Sequence, residues 1–388
     1  MAKKTLNVGL IGYKFMGKAH SNAYRQVARF FPELDTVPVL KAICGRDEAG
    51  VRDAAQTLGW ESYETDWKKL ISRDDIDIID VATPSNLHSE MVIAAARAGK
   101  HILCEKPAAN HASDAKDMLD AAEQAGVKHG IFFNYRKVPA IALAKQLIDQ
   151  GVLGKVYHWR ATYLQDWIVN PDFPLVWRLR KETAGSGSHG DLAAHLIDTA
   201  RYLVGEIAEV SGILETFIKE RPELAESDAR LGGKADLTRK GPVTVDDASV
   251  FLARFANGAI GTFEATRFAL GRKNYNRFEI NGSKGSIVFN MESMNDLEIY
   301  TEDTADGTYG FRTVNVTSGA DPYSGHYWPT AHIIGYEHTF INLIYDAFTA
   351  IGSGNNPTPN LLDGYRNNVI LDAVEASSVT RQWQPIEF

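Results

Sequence analysis

Cysteine is nearly missing from this 388-residue chain: there are two, Cys44 and Cys104, each inside an apolar run, VLKAICG and HILCE. A secreted disulfide framework or a zinc centre needs more cysteines at closer spacing, so the two read as buried thiols in a reducing compartment. Positive charge is also short. Lysine and arginine total 41 against 49 aspartates and glutamates, a formal net charge of −8, which gives a polyphosphate backbone no overall attraction and excludes nucleic acid as an expected partner. No apolar run approaches the ~20 residues of a membrane span, and the run after the N-terminal lysines is too short for a signal-peptide core. A cytoplasmic protein without membrane contact is expected. With only 14 prolines, and 44% apolar residues against 23% charged ones, the chain is neither disordered nor fibrous, and its length suits two domains.

What is present, from Thr5 to about Phe133, is an alternation of short apolar runs (LNVGLIG, VPVLKAICG, IDIIDVATP, HILCEKP, HGIFFNY) with helix-forming stretches that end in glycine (AGVRDAAQTLG, SEMVIAAARAG, ASDAKDMLDAAEQAG). That rhythm predicts βαβ units and a parallel sheet covered on both faces. Beyond Arg136 it changes. A helix-like IALAKQLIDQG and a long alternating strand, VYHWRATYLQDW, precede a helix over Asp191 to Val204. Alternating strands follow (EVSGILETFI, ASVFLARFA, AIGTFEATRFA, NRFEINGS, GSIVFNM, DLEIYTED), several joined by Asn-Gly or Gly-Ser turns that suit hairpins. Residues 135–388 are therefore expected to form an α+β domain with a large open, mainly antiparallel sheet. The polar stretch KERPELAESDARLGGKADLTRKG reads as a long surface loop, and helices near Tyr336–Ala350 and Gly364–Thr380 close the chain.

In GLIGYKFMGKAHSNAY a strand runs through a glycine-bearing turn into a helix. Gly12 and Gly17 hold the first and last positions of a G-x-G-x-x-G fingerprint, with Lys14 at the middle one and Phe15 and Met16 completing the turn. Lysine there obstructs close approach to a pyrophosphate but can offer it charge, while the helix end offers amide donors. Residues 1–134 thus read as an α/β Rossmann dinucleotide-binding domain. The second strand ends in Gly45, Arg46 and Asp47: arginine suits a ribose 2′-phosphate and aspartate a 2′-hydroxyl, so NAD and NADP both remain open. Thr83, Pro84, Asn86 and His88 follow the third run and Glu105 and Lys106 the fourth, at the carboxyl edge where ligands bind in such sheets, and Asn134 follows the fifth. A lysine at that edge can carry a proton or polarise a hydroxyl; a structural Glu–Lys pair is the alternative. Farther on, Asp191, His195 and Asp198 in GSGSHGDLAAHLIDTARYLVG are spaced i, i+4 and i+7, which on an α-helix puts them on one face. Asp191 can then orient His195 as the base that takes a hydroxyl proton while hydride leaves the same carbon, though a lone helical histidine can also be structural. Metal-ligand spacing is absent here, so no metal is assigned.

Together these pieces resemble the Gfo/Idh/MocA oxidoreductases, the glucose-fructose oxidoreductase and inositol dehydrogenase family, over nearly the whole chain, from GLIGYKFMGKAHSNAY through EKPAA and NYRKVPA to PTPNLLDGYRNNVILDAVEAS. CGRDE and D-x-A-x-H-x-x-D are closest to its sugar and anhydrosugar dehydrogenases of levoglucosan type. The resemblance implies Lys106, Asp191 and His195 as the catalytic trio and Gly12, Gly17, Thr83, Pro84, Asn86, His88 and Glu105 as cofactor-side residues. The departures are Lys14 and the Gly45-Arg46 pair. A carbohydrate or polyol substrate would meet Tyr163, Gln165, Asp166, Trp167, Trp177 and Arg178, with Arg136 past the last strand of the first domain. His332 and His338 are left unassigned. Two other functions are compatible: a redox-neutral NAD-dependent glycoside-cleaving enzyme and a non-catalytic nicotinamide sensor, the latter disfavoured by the retained trio. An open sheet face bearing Phe263 and Phe268 would pair with a second copy, giving a homodimer or homotetramer.

Overall fold

The computed structural model describes residues 3–225, 235–302 and 307–388. It opens with β1 (Lys4–Ile11), α1 (Phe15–Phe30), β2 (Thr36–Cys44), α2 (Glu48–Leu58), β3 (Ser62–Glu64), α3 (Trp67–Ile71), β4 (Ile78–Val81), α4 (His88–Arg97), β5 (His101–Cys104), α5 (Ala112–Ala125) and β6 (His129–Ile131). The six strands form one parallel sheet in the order β3-β2-β1-β4-β5-β6. Val8, Leu10, Ile78, Ile79, Ile102 and Leu103 are fully buried, which is why these strands are continuously apolar rather than alternating. Winding reverses between β1 and β4, and the crevice at that switch, beyond the strands' carboxyl ends, is where such sheets receive ligands.

The chain divides into two compact units, and the first is not contiguous: to the residues up to Val138 it adds His326–Trp328 and Ile334–Tyr365. A boundary drawn at residue 134 does not anticipate this return. The helix Tyr336–Gly352 packs on α1, with Phe31 stacked on Tyr345 at 4.0 Å between ring centroids and Phe30 tilted on Tyr327 at 4.9 Å.

The second unit contains α6 (Pro139–Asp149), β7 (Val156–Leu164), α7 (Lys181–Ala184), α8 (Ala194–Leu203), β8 (Ile207–Glu215), β9 (Glu220–Leu224), β10 (Ala235–Pro242), β11 (Ala248–Phe255), β12 (Ile260–Thr266), β13 (Tyr275–Gly282), β14 (Gly285–Asn290), β15 (Asp296–Thr301) and β16 (Arg312–Asn315). The helix above is α9; α10 (Leu361–Thr380) and β17 (Gln384–Pro385) end the chain. Nine strands form one sheet, ordered β16-β15-β14-β13-β7-β12-β11-β8-β17, antiparallel except where β7 and β12 run parallel at its middle. Its inner face is aromatic: Phe251 stacks on Phe263 at 4.4 Å and Trp159 on Phe278 at 5.0 Å, with α6 and α8 packed against the sheet. Phe263 is therefore core and not part of an open face, and Phe268 packs beside the buried cluster of Ile168, Leu175, Val176 and Leu179. Ile213, Val250, Leu252 and Ile260, on adjacent strands β8, β11 and β12, are among the apolar residues that do face solvent.

The expected polar loop is also corrected. Its flanks pair as the antiparallel ribbon β9–β10, while residues 226–234, its tip, lie outside the described residues. The ribbon is anchored because Arg221 is fully buried and both terminal nitrogens of its guanidinium are held by main chain, Nη1 donating to the Asn170 carbonyl at 2.8 Å and Nη2 to that of Ile168 at 2.5 Å. Among the described residues no helix is long and apolar enough to cross a membrane.

Candidate active site

In the first unit the cofactor-side residues converge on one sheet edge. Gly12 adopts φ +110°, and a Cβ there would lie 2.5 Å from the Ala82 carbonyl oxygen; one on Gly17 would lie 2.1 Å from the carbonyl oxygen of Gly12. Both positions admit glycine alone, and they bring β1, α1 and the end of β4 into close approach. Lys14 precedes α1 without capping it through its side chain, and the first turn carries no acidic residue. The amide donors and positive dipole end therefore face outward together with Phe15, 60% exposed, while Met16 is half-buried. This is the backbone cradle that a dinucleotide pyrophosphate requires, so the residues present fit NAD. The Lys14 ammonium sits 4.8 Å from the Tyr13 ring centroid.

Gly45 makes room for an aromatic ring: a Cβ there would strike the Tyr13 ring at 2.3 Å. Arg46 is exposed, and Asp47 caps α2 by accepting the Gly50 N–H at 3.1 Å. Thr83 and Pro84 follow β4, and Asn86 lies in a short 3₁₀ turn. His88 is buried, with Nε2 2.9 Å from the Thr83 carbonyl oxygen and Nδ1 3.1 Å from that of Pro107. It clamps the β4 turn to the E-K-P turn rather than reaching outward. Asn134 donates to Thr339 Oγ1 at 2.8 Å, and Arg136, buried, pairs with Asp363 at 3.0 Å, so both serve the interior of the first unit. Glu105 is buried; Lys106, half-buried, donates its backbone N–H to Glu105 Oε2 at 3.0 Å. His338 is buried and accepts the Gly335 N–H at 3.1 Å, so it caps α9.

In the second unit Asp191 and His195 do not share one regular helix. Residues His189–Ala193 form a π-turn, and the α-helix begins only at Ala194, so the α-periodicity behind an i, i+4 face breaks between them. The glycine-serine run explains how the turn is held. A Cβ on Gly187 would lie 1.7 Å from the Asp246 carbonyl oxygen, and the Asp246 carboxylate accepts the N–H groups of Gly187 at 2.7 Å and His189 at 2.8 Å and the Ser188 hydroxyl at 2.7 Å. Asp191 Oδ2 accepts from Arg267 Nη2 at 2.7 Å, and the Arg267 guanidinium, 1% exposed, lies 5.2 Å from the Trp167 ring.

His195 is 6% exposed, its ring 6.1 Å from that of Tyr163 on β7. A chain of hydrogen bonds continues from there: Tyr163 OH and Gln165 Nε2 both donate to Asn274 Oδ1, at 2.8 and 3.0 Å, and Trp167 Nε1 donates to Gln165 Oε1 at 2.9 Å. Asp166 turns elsewhere, to Lys273 at 2.6 Å and the Gly271 N–H at 3.1 Å, which hold its carboxyl below the usual range. Arg178 stacks on Trp177 at 4.2 Å; burial lowers its pKa, opposed by the attraction of Asp191. His332 is exposed beside the Pro329 carbonyl. Arg267, Asn274 and Asp246 were not foreseen from sequence, because each meets the site from a strand or loop far along the chain.

Comparison with known proteins fits this geometry. Residues 6–133 match an oxidoreductase family with an NAD-binding Rossmann fold, and residues 141–288 match the GFO/IDH/MocA C-terminal domain. The chain is 46% identical over 383 residues to levoglucosan dehydrogenase of Pseudarthrobacter phenanthrenivorans, covering 98% of each. It superimposes on the crystal structure of an oxidoreductase domain protein from Kribbella flavida with TM-score 0.93 at 50% identity, covering 99% of this chain and 100% of that one. On levoglucosan dehydrogenase in complex with NADH and levoglucosan the TM-score is 0.94 at 45% identity, with the same coverage. With both domains matched and a glycine cradle that fits a dinucleotide, the chain belongs to the Gfo/Idh/MocA family and is an NAD-binding Rossmann oxidoreductase.

Proposed function

We propose that this enzyme oxidises a secondary hydroxyl of a carbohydrate, an anhydrosugar of the levoglucosan type foremost among sugars, glycosides and inositols, with NAD as hydride acceptor. The observation that carries the reading is the environment of His195: a buried imidazole next to Tyr163, at the end of a Tyr–Asn–Gln–Trp chain with amide and phenol edges beside an indole face. Flat apolar rings bordered by fixed polar groups are what a sugar ring needs for binding and orientation. The likeness to a levoglucosan dehydrogenase solved with NADH and levoglucosan supports it.

When bound, the nicotinamide supplies a two-electron acceptor for the carbinol hydride. His195 takes the hydroxyl proton, Asp191 orients it and is itself held by Arg267, and Lys106 polarises the oxygen and shares in the proton transfer. Arg46 decides little about the cofactor on this reading, since the acidic Asp47 stands next to it. The assembly proposed is a homodimer or homotetramer formed through the solvent-facing side of the nine-stranded sheet.

The test is a panel of anhydrosugars, free sugars and inositols supplied with NAD or NADP, followed by the absorbance of reduced nicotinamide. Levoglucosan with NAD should give steady accumulation. Cleavage of a glycoside without net reduced cofactor would replace this reading with the redox-neutral one, and cofactor binding without turnover of any substrate would replace it with a sensor.

A further inference from the structure

Beneath the E-K-P turn runs a chain of buried ionisable groups with no part in the chemistry described so far. His20, on α1, is fully buried, with Nδ1 2.9 Å from Asp80 Oδ2 on β4 and Nε2 3.0 Å from Glu105 Oε1 just past β5. The Tyr24 hydroxyl donates to the same Asp80 oxygen at 2.7 Å, and the imidazole stacks on Phe132 at 3.8 Å. An ionised carboxylate only accepts, so an imidazole facing one at each nitrogen satisfies both by donating twice, as the imidazolium. Burial alone pushes its pKa down, but Asp80 and then Glu105 outweigh burial and raise it to about 9.

A buried ion cluster is a poor device for stability, because well-packed apolar residues of similar volume usually do as well. What this one supplies is geometry. It ties the helix after the glycine turn to the ends of two strands, and the second oxygen of Glu105 accepts the Lys106 N–H. We propose that His20 is a positioning residue for Lys106: through the Glu105 carboxylate it fixes the backbone from which the Lys106 side chain starts. The inference rests on Lys106 taking part in the reaction. The titratable groups facing His20 are Tyr24 from α1, Asp80 from β4, and Cys104 and Glu105 from β5 and its end; the two carboxylates also act on the Cys104 thiol, whose pKa burial raises. Once His20 loses its second proton, one carboxylate loses its donor and the turn its tether.

The experiment uses the full-length enzyme with NAD and its best carbohydrate substrate, comparing wild type, His20→Gln, Asp80→Asn and Lys106→Ala. His20→Gln should lower kcat roughly 10- to 100-fold, the scale of a misplaced catalytic group, while substrate KM and NAD affinity change by less than about threefold. The wild-type kcat should decline on the alkaline side as His20 loses its second proton, and His20→Gln should lack that decline. An unchanged kcat and pH profile with only a lower melting temperature would make His20 purely structural and overturn the proposal. If His20→Gln does not fold, Asp80→Asn, which weakens the same imidazolium, must show the same loss of kcat or the proposal falls. The Lys106→Ala control separates the two levels: full turnover there sinks the role of Lys106 itself, whereas loss there with a normal His20→Gln sinks only the positioning role.

Discussion

His195→Ala should leave NAD affinity nearly intact and cut turnover by the ~10²- to 10⁴-fold typical of a lost general base; a purified variant keeping more than about a third of the activity would remove His195 from the chemistry. Two other histidines contribute to the response of stability to pH. His20 is raised to about 9 when folded against 6.5 when free, so its contribution is complete below pH 6.5 and drains away as pH climbs through 9. His129 is lowered to about 4, by burial first and Lys128 second, so the unfolded chain takes up protons sooner and stability falls as pH drops from 6.5 toward 4. The joint contribution of these two histidines should peak near pH 6.5, with each limb worth about 3 kcal/mol. Denaturant unfolding across pH should show the alkaline limb flattened in His20→Gln and the acid limb in His129→Gln; unaltered slopes would refute the assignment. The glycine turn at Gly12 was legible from sequence because residue type and place at a strand end sufficed. His20 and Arg267 were not: their partners stand 60, 85 and 76 residues away, and a lone histidine or arginine inside a helix or strand pattern announces no carboxylate at such distance.

Strands and helices were mostly readable, because apolar runs and glycine stops mark them plainly. The π-turn was not, since its extra residue leaves no mark on a spacing that an ordinary helix also allows. Its seat on Asp246 yields a paired prediction. Gly187→Ala places a methyl 1.7 Å from a backbone oxygen that cannot retreat, and should destabilise by more than the ~1 to 3 kcal/mol of ordinary overpacking and abolish turnover. Gly190→Ala meets only the rotatable Ser186 hydroxyl, at 2.3 Å, and should be far milder. Circular dichroism melting and turnover of both variants check this, and equal effects would show that the turn does not depend on that close approach. The polar stretch after β8 misled for the opposite reason: β9 and β10 are short of apolar residues and each carries a proline, so nothing but the buried Arg221 betrays a ribbon.

At the scale of the molecule, the outward cluster of Ile213 (68% exposed), Val250 (51%), Leu252 (50%) and Ile260 (47%) is costly to leave in water, and the proposed pairing with a second copy would relieve that cost. Leu252→Lys should therefore shift the protein from dimer or tetramer to monomer in light scattering coupled to size exclusion, with the fold intact; a wild-type monomer at micromolar concentration would end the proposal. The discontinuous first unit bears on birth rather than chemistry. A ribosome releases the six parallel strands long before α9, yet Phe31, fully buried in the finished protein, stacks on Tyr345, and the Ile131 N–H donates to the Pro359 carbonyl at 3.2 Å. The nascent dinucleotide domain must therefore wait, incomplete and with an apolar helix face uncovered, until α9 and the segment reaching Pro359 have been synthesised. A stop codon just after Val138 should yield an aggregating fragment, not a miniature NAD-binding protein, and co-expression of residues 326–365 in trans should partly restore its solubility.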